Sequence, residues 1–334
     1  MKHYNVNIIG TGIYHPENKV LNDYFINYYE KKDIDIRGLL SYLGRDERYK
    51  CNEEENVITM GAKAAAEALG NAKTTPEEID MIIFATDTPE YTAPCNAIKA
   101  SNELGTVNAH VVYDMNNNCV GIITALDNAS RFMKSNKRIR KALLIGSQKI
   151  ASFARPDDPM AYSGFGDGAG AIVLEAMEEN EERGLVESAY YTDAKHHNMA
   201  LMPACGYSKI TREDINDLDK KWWTDPTFRG DHIIEIWNNV INQLLHNNDL
   251  EANHIDDYIF SQFCRSHIIE IIQRLKVGPD KFTYIGDRYG YTGVASPIFA
   301  MHHAIKNCKI KKDSKIIMCS VGSGFTCVSL LWKM

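Results

Sequence analysis

Several absences narrow the possibilities before any motif is considered. No stretch of the chain reaches the ~18 consecutive apolar residues that a membrane-spanning helix needs, so no membrane partner is expected. Basic residues are not in excess: 37 Lys and Arg face 44 Asp and Glu, for a net charge of -7. That balance argues against nucleic acid as a partner, because such binders carry a basic surface. The one basic stretch, "KNCKIKKDSK" (306–315), reads as a solvated loop ahead of a strand. None of the eight cysteines, at 51, 95, 119, 205, 264, 308, 319 and 327, has a C-x-x-C neighbour. Their spread has no zinc-like spacing, so no metal site is expected. The opening "MKHYNVNIIGTGIYHP" lacks a signal-peptide cleavage pattern and reads as a strand entering a glycine turn. Reduced thiols in the cytoplasm follow as the expectation.

What is present describes a large α/β protein. The 334 residues exceed what one hydrophobic core usually supports, and 44% of them are hydrophobic, so two fused units are expected. Helical spacing appears at 57–72, 119–134, 232–250, 266–277 and 295–307. Buried-strand patterns appear within 75–89, 110–116, 141–148, 166–177, 254–264, 314–322 and 323–334. The order repeats. "IDMIIF" (79–84) answers "IDDYIF" (255–260), and "GAGAIVLE" (168–175) answers "GSGFTCVSLL" (322–331). Such repetition predicts two similar halves, 1–178 and 179–334. The less regular segment 178–225 is expected to hold the connection.

One cysteine has a distinctive setting. In "YDMNNNCVGIITAL" (113–126) a strand ends in three asparagines and a small-residue helix begins near Cys119. Unpaired N–H groups and the dipole at a helix start favour an anion, and a thiolate there is a nucleophile. A small apolar residue packed in a core fits the same local pattern. The Gly-rich "GFGDGAG" (164–170) lacks the lysine of a phosphate-binding loop and reads as close packing instead.

Taken together, "NVNIIGTGIYHPENKVLND", "GRDERYKC" (44–51), "MNNNCVGIITAL", "FGDGAGAIVLE" (165–175) and "GSGFTCVSLL" resemble the thiolase superfamily, in particular its ketoacyl-ACP synthase III group. The resemblance covers nearly the whole chain. It implies a duplicated α/β thiolase fold in five layers, α-β-α-β-α, and a homodimer. It also implies Cys119 as the acyl-accepting nucleophile and Gly322 and Gly324 in the loop closing the active site. Acyl-CoA or an acyl carrier protein would be substrate, with no resident cofactor.

The match then departs from the family. The family's His-Gln-Ala-Asn is Ser261-Gln262-Phe263-Cys264 here, and Tyr291 fills the asparagine slot between Gly290 and Thr292. Only the cysteine of the Cys-His-Asn set remains. Ser261 and Tyr291 can each donate an O–H hydrogen bond, but neither becomes a cation near neutral pH. His267, His302 and His303 read as packing or solvated residues. Ala93 stands where the family has a bulky aromatic that reaches the partner's acyl pocket. Arg155 lies in the loop that carries a CoA-binding arginine, offset from the usual position; both are expected to contact substrate. Two functions follow: an acyltransferase or condensing enzyme with a non-standard acceptor in fatty-acid-like or secondary metabolism, or a non-catalytic subunit with a thiolase-like catalytic partner.

Overall fold

The computed structural model describes residues 2–227 and 230–334. The first sheet is built from β1 (His3–Tyr14), β2 (Met81–Ala85), β3 (Val111–Met115), β4 (Lys141–Gln148) and β5 (Gly168–Glu179), in the order β1-β5-β4-β2-β3. β2 pairs in parallel with both β3 and β4, while β5 is antiparallel to β1 and β4. All five residues of β2 are buried, as a strand covered by helices on both faces requires.

The second sheet contains β6 (Gly184–Thr192), β7 (Asp257–Phe260), β8 (Lys315–Gly322) and β9 (Thr326–Lys333), in the order β7-β8-β9-β6. Reversed, β6-β9-β8-β7 reproduces β1-β5-β4-β2 in order and in strand sense. β2 and β7 carry the two "ID…IF" segments, and β5 and β9 follow the two glycine turns, so the short sequence echoes mark equivalent strands. The counterpart of β3 is reduced to a single bridge between Tyr258 and Phe282.

Helices α1 (Val57–Ala72) and α2 (Asn96–Leu104) cover the outer face of the first sheet. α1 starts where the sequence pattern places it. The Asn56 side chain accepts from the Ile58 and Thr59 N–H groups, and Thr59 accepts the Asn56 N–H in return, closing both orphan ends of a capping box. α3 (Gly121–Ser135) and α6 (Ser296–Lys306) lie between the sheets and touch strands of both. α4 (Asp231–Asn247) packs on the outer face of the second sheet with α5 (Arg265–Arg274) beside it. The layers therefore run α1/α2, sheet, α3/α6, sheet, α4/α5. The middle layer joins Ile122, Leu126 and Ile298 to Met81, Ile259 and Ile316 in one core.

One expectation changes. The segment 178–225 is not only a connection: it contains β6, an edge strand of the second sheet. β6 was hidden because seven of its nine residues are half-buried or exposed in no regular alternation, which leaves no clean two-residue period. The change of sheet falls in the turn 180–183.

Candidate active site

The three asparagines ahead of Cys119 each have a structural task. Asn116 Oδ1 accepts the Asn118 N–H at 3.1 Å, Asn117 Nδ2 donates to Thr124 Oγ1 at 2.9 Å, and Asn118 Nδ2 donates to the Ser323 carbonyl at 3.2 Å. Asn118 has φ +50°, a left-handed conformation that asparagine tolerates better than most residues. The turn Asn118–Val120 then runs directly into α3. Ser320 Oγ, from β8, donates to the Cys119 carbonyl at 3.0 Å. Both sheets thus fix the nucleophile's backbone.

Ser261 and Tyr291 approach from the second half. Ser261 follows β7 and is fully buried; its N–H is held by the Cys319 carbonyl at 3.0 Å. The turn beyond it is clamped by Arg45, itself 2% exposed, whose Nη2 donates to the carbonyls of Gln262 and Phe263 at 2.7 Å each. The Tyr291 backbone is tied on both sides, its N–H to the Gly164 carbonyl at 2.9 Å and its carbonyl to the Gly166 N–H at 3.1 Å. Its ring lies against Phe165 and Phe263. From there the phenol stands beside the Cys119 thiol and the Ser261 side chain, near enough to act on the titration of the sulfur. Ser261 Oγ itself makes no well-aligned hydrogen bond, so it keeps capacity for a ligand.

Electrostatics at the site differ from the simple helix-start expectation. Burial, reinforced by the charge of nearby Asp87, pushes the Cys119 thiol up to about 12; the neighbouring Tyr291 hydroxyl and the residue's own N–H oppose this without overcoming it. The resting cysteine is a thiol. Burial likewise raises Tyr291 well above the usual phenol range and lifts Asp87 to about 6. No histidine intervenes. His267 Nε2 meets the Tyr42 hydroxyl at 2.7 Å, His302 Nδ1 pairs with Thr11 Oγ1 at 3.1 Å, and His303 Nε2 meets the Tyr289 hydroxyl at 3.0 Å.

Cys119 and Tyr291 open onto a narrow, largely apolar cleft walled by Phe165, Met199, Trp222 and Phe263, with Gly322 at its rim. Gly324 does not line it. That residue shapes the β8–β9 turn with φ +73°, and the Phe325 N–H closes the turn on the Gly322 carbonyl at 3.2 Å. Ala93 is exposed on the loop before α2 and lies outside the cleft. Arg155 also lies outside it, its guanidinium held by Asp157 at 2.6 Å and by Asp219 at 3.8 Å. Among the described residues no group of three or more His, Cys, Asp or Glu side chains could hold a metal ion, and no helix is long and apolar enough to cross a membrane.

Sequence reasoning passed over Asp87, Gln148 and the Trp222 wall. Gln148 ends β4 and its Oε1 accepts the Val294 N–H at 3.0 Å; a Cβ on Gly293 (φ +49°) would fall 1.1 Å from that oxygen. The available signal was position, since Gln148 ends one apolar strand of the first sheet and Asp87 lies just beyond another, where α/β sheets place their sites. Trp222 sits in an irregular segment and carried no signal.

A duplicated five-layered α/β chain with a buried cysteine at the head of its central helix is a thiolase fold. Residues 113–194 match the family described as 3-oxoacyl-[acyl-carrier-protein (ACP)] synthase III, and 245–334 match that family's C-terminal region. The chain is 30% identical to a β-ketoacyl-[acyl-carrier-protein] synthase III of Clostridium botulinum, covering 99% of both chains. It is 31% identical to the protein of that name from Ehrlichia canis, covering 96% of both. The crystal structure of 3-oxoacyl-[acyl-carrier-protein] synthase III from Aquifex aeolicus superposes with a TM-score of 0.85 at 27% identity, over 99% of this chain and all of that one. The protein belongs to the 3-oxoacyl-[acyl-carrier-protein] synthase III family of acyl-transferring, condensing enzymes. OleA of Xanthomonas campestris, at 18% identity and a TM-score of 0.83, shares the fold.

Proposed function

We propose that Cys119 accepts an acyl group from a thioester, acyl-CoA or acyl carrier protein, and passes it to an acceptor other than the one an intact Cys-His-Asn site would serve. The observation that carries this reading is that Cys119 and the Tyr291 phenol line one cleft, with the buried Ser261 hydroxyl left without a hydrogen-bond partner. Tyr291 and Ser261 would donate to the oxygen that becomes negative as the thiol adds to the carbonyl; donors so placed are typically worth ~3–4 kcal/mol each. The apolar walls suit an acyl chain. Ala93, exposed on a single chain, would then face the acyl pocket of a second copy in a homodimer, and its small side chain would leave room for a long or branched chain. Arg155 is engaged by carboxylates, which favours recognition of the carrier by other contacts.

Intact-protein mass spectrometry after incubation with a panel of acyl-CoAs and acyl carrier proteins tests this, with Cys119→Ala as control. A thioester-sized mass gain, lost in the variant, is expected. The missing imidazole supports the alternative of a subunit whose thiolase-like partner carries out the chemistry. A folded protein that gains no mass from any donor would establish that alternative.

A further inference from the structure

One buried charged group beside the cysteine has no part in the roles given above. Asp87 lies two residues beyond β2, and both of its carboxylate oxygens are shut off from solvent and accept no hydrogen bond. The backbone around it fixes where it stands. The Thr86 N–H donates to the Met115 carbonyl at 3.1 Å, at the start of the asparagine run, and Ala85 packs directly against Gly121. Asp87 therefore stands where β2 and β3 end, close enough to Cys119 and Tyr291 for its charge to act on both. The other ionisable groups around these strand ends are occupied. Lys149 Nζ donates to the Glu55 carbonyl at 2.7 Å, and Asp114 accepts from Asn96 and from the Ala97 N–H. Among the described residues nothing neutralises Asp87, and a buried polar group left unpaired calls for an explanation.

We propose that Asp87 is the proton partner of Cys119, taking up the thiol proton when the sulfur attacks and returning it when a thiolate leaves. The inference rests on the acyl-transfer reading and supplies what the lost imidazole would otherwise provide. As the sulfur–carbon bond to the donor carbonyl forms, the S–H proton passes to the Asp87 carboxylate, directly or through one bridging water. Collapse of the tetrahedral intermediate breaks the bond to the donor sulfur, which takes that proton and leaves as a free thiol. Acyl-Cys119 and an ionised Asp87 remain. An acceptor X–H then loses its proton to Asp87 as the X–C bond forms, and the departing Cys119 sulfur recovers it. Each half-reaction balances without a further reactant. Two negative charges so close in a buried site disfavour each other, so thiol and carboxylate share one proton as a coupled pair. A carboxyl held near 6 by burial is ionised at neutral pH yet able to return a proton.

The test is the rate of Cys119 alkylation by iodoacetamide between pH 5 and 9 in the full chain, in Asp87→Asn and in Asp87→Glu, with peptide mapping to separate Cys119 from the other thiols. The unmodified protein is expected to rise through an inflection near pH 6 to a plateau. Asp87→Asn is expected to lose the inflection and to react about tenfold or more slowly at pH 7, while Asp87→Glu keeps an inflection at a displaced pH. An Asp87→Asn protein that reacts as fast or faster overturns the proposal, because a carboxylate that merely repels the thiolate gives that result. Should Asp87→Asn fail to fold, Asp87→Glu decides alone: a profile superimposable on the unmodified one overturns the pairing. Iodoacetamide needs no acyl donor, so this outcome is independent of whether Cys119 takes an acyl group. Asp87-dependent alkylation without any acyl adduct would sink the acyl-transfer reading only.

Discussion

A carboxylate buried without partners weakens the fold that contains it. The sign follows from the direction of the shift: Asp87 titrates near 6 when folded, above its unfolded value of ~3.9. Its burial therefore costs nothing below the unfolded value, and stability falls as pH rises through the interval, with the full loss present above it. Two units correspond to about 3 kcal/mol. Asp87→Asn is expected to be more stable than the unmodified protein at pH 7.5 by up to about that amount, with little difference near pH 4, in urea titrations at the two values. A variant less stable at pH 7.5 would show that the carboxylate is paired in solution. At Tyr291 the ring packs against Phe165 and Phe263 while only the hydroxyl reaches sulfur. Tyr291→Phe should keep the melting temperature and slow acylation of Cys119 by about 10²-fold, the usual effect of removing one such donor. An unchanged acylation rate would remove the phenol from the chemistry.

The elements divide into those whose side chains announce them and those held by distant partners. β2 and α1 were legible, the one an unbroken apolar run and the other a capped alanine-rich helix, because local pattern and final environment agree. The position of Cys119 was legible too, since a strand, a turn and a helix start are all written within fourteen residues. The charge state of its sulfur was not: burial and the nearness of Asp87 come from chain segments some thirty residues apart and from a tyrosine in the other half. The turn Ser261–Phe263 shows the same dependence. It keeps its shape because Arg45, more than two hundred residues earlier, holds two of its carbonyls, and because Gln262 Oε1 accepts the Ile285 N–H at 2.9 Å. Replacing Arg45 with Met would leave several buried carbonyls without donors, each costing ~1–3 kcal/mol. The expected loss is about 3–5 kcal/mol by chemical denaturation, and a loss below 1 kcal/mol would show that water replaces the guanidinium.

At the scale of the whole molecule, the middle helical layer belongs to neither half alone. α3 comes from the first half and α6 from the second, and both sheets bury against them. Neither half can therefore complete its core by itself, despite the repeated order of strands that made the duplication readable. Calorimetry is expected to show one unfolding transition, and residues 1–180 expressed alone should lack a cooperative melt; two separated transitions would refute the shared core. The cleft has a different parentage. Its nucleophile and serine follow strands of the two sheets and its phenol sits in the loop before α6, whereas Met199 and Trp222 come from the irregular stretch after β6, whose described residues pair Ala200–Leu201 with Trp223–Thr224 beside two short 3-10 turns. Replacements in that stretch disturb few ladder bonds, while replacements at the strand ends disturb the reacting groups. Descent with a fixed chemistry and a changing clientele is the history such an arrangement permits, because the wall that greets the guest can be rewritten while the residues that receive it stay as they are.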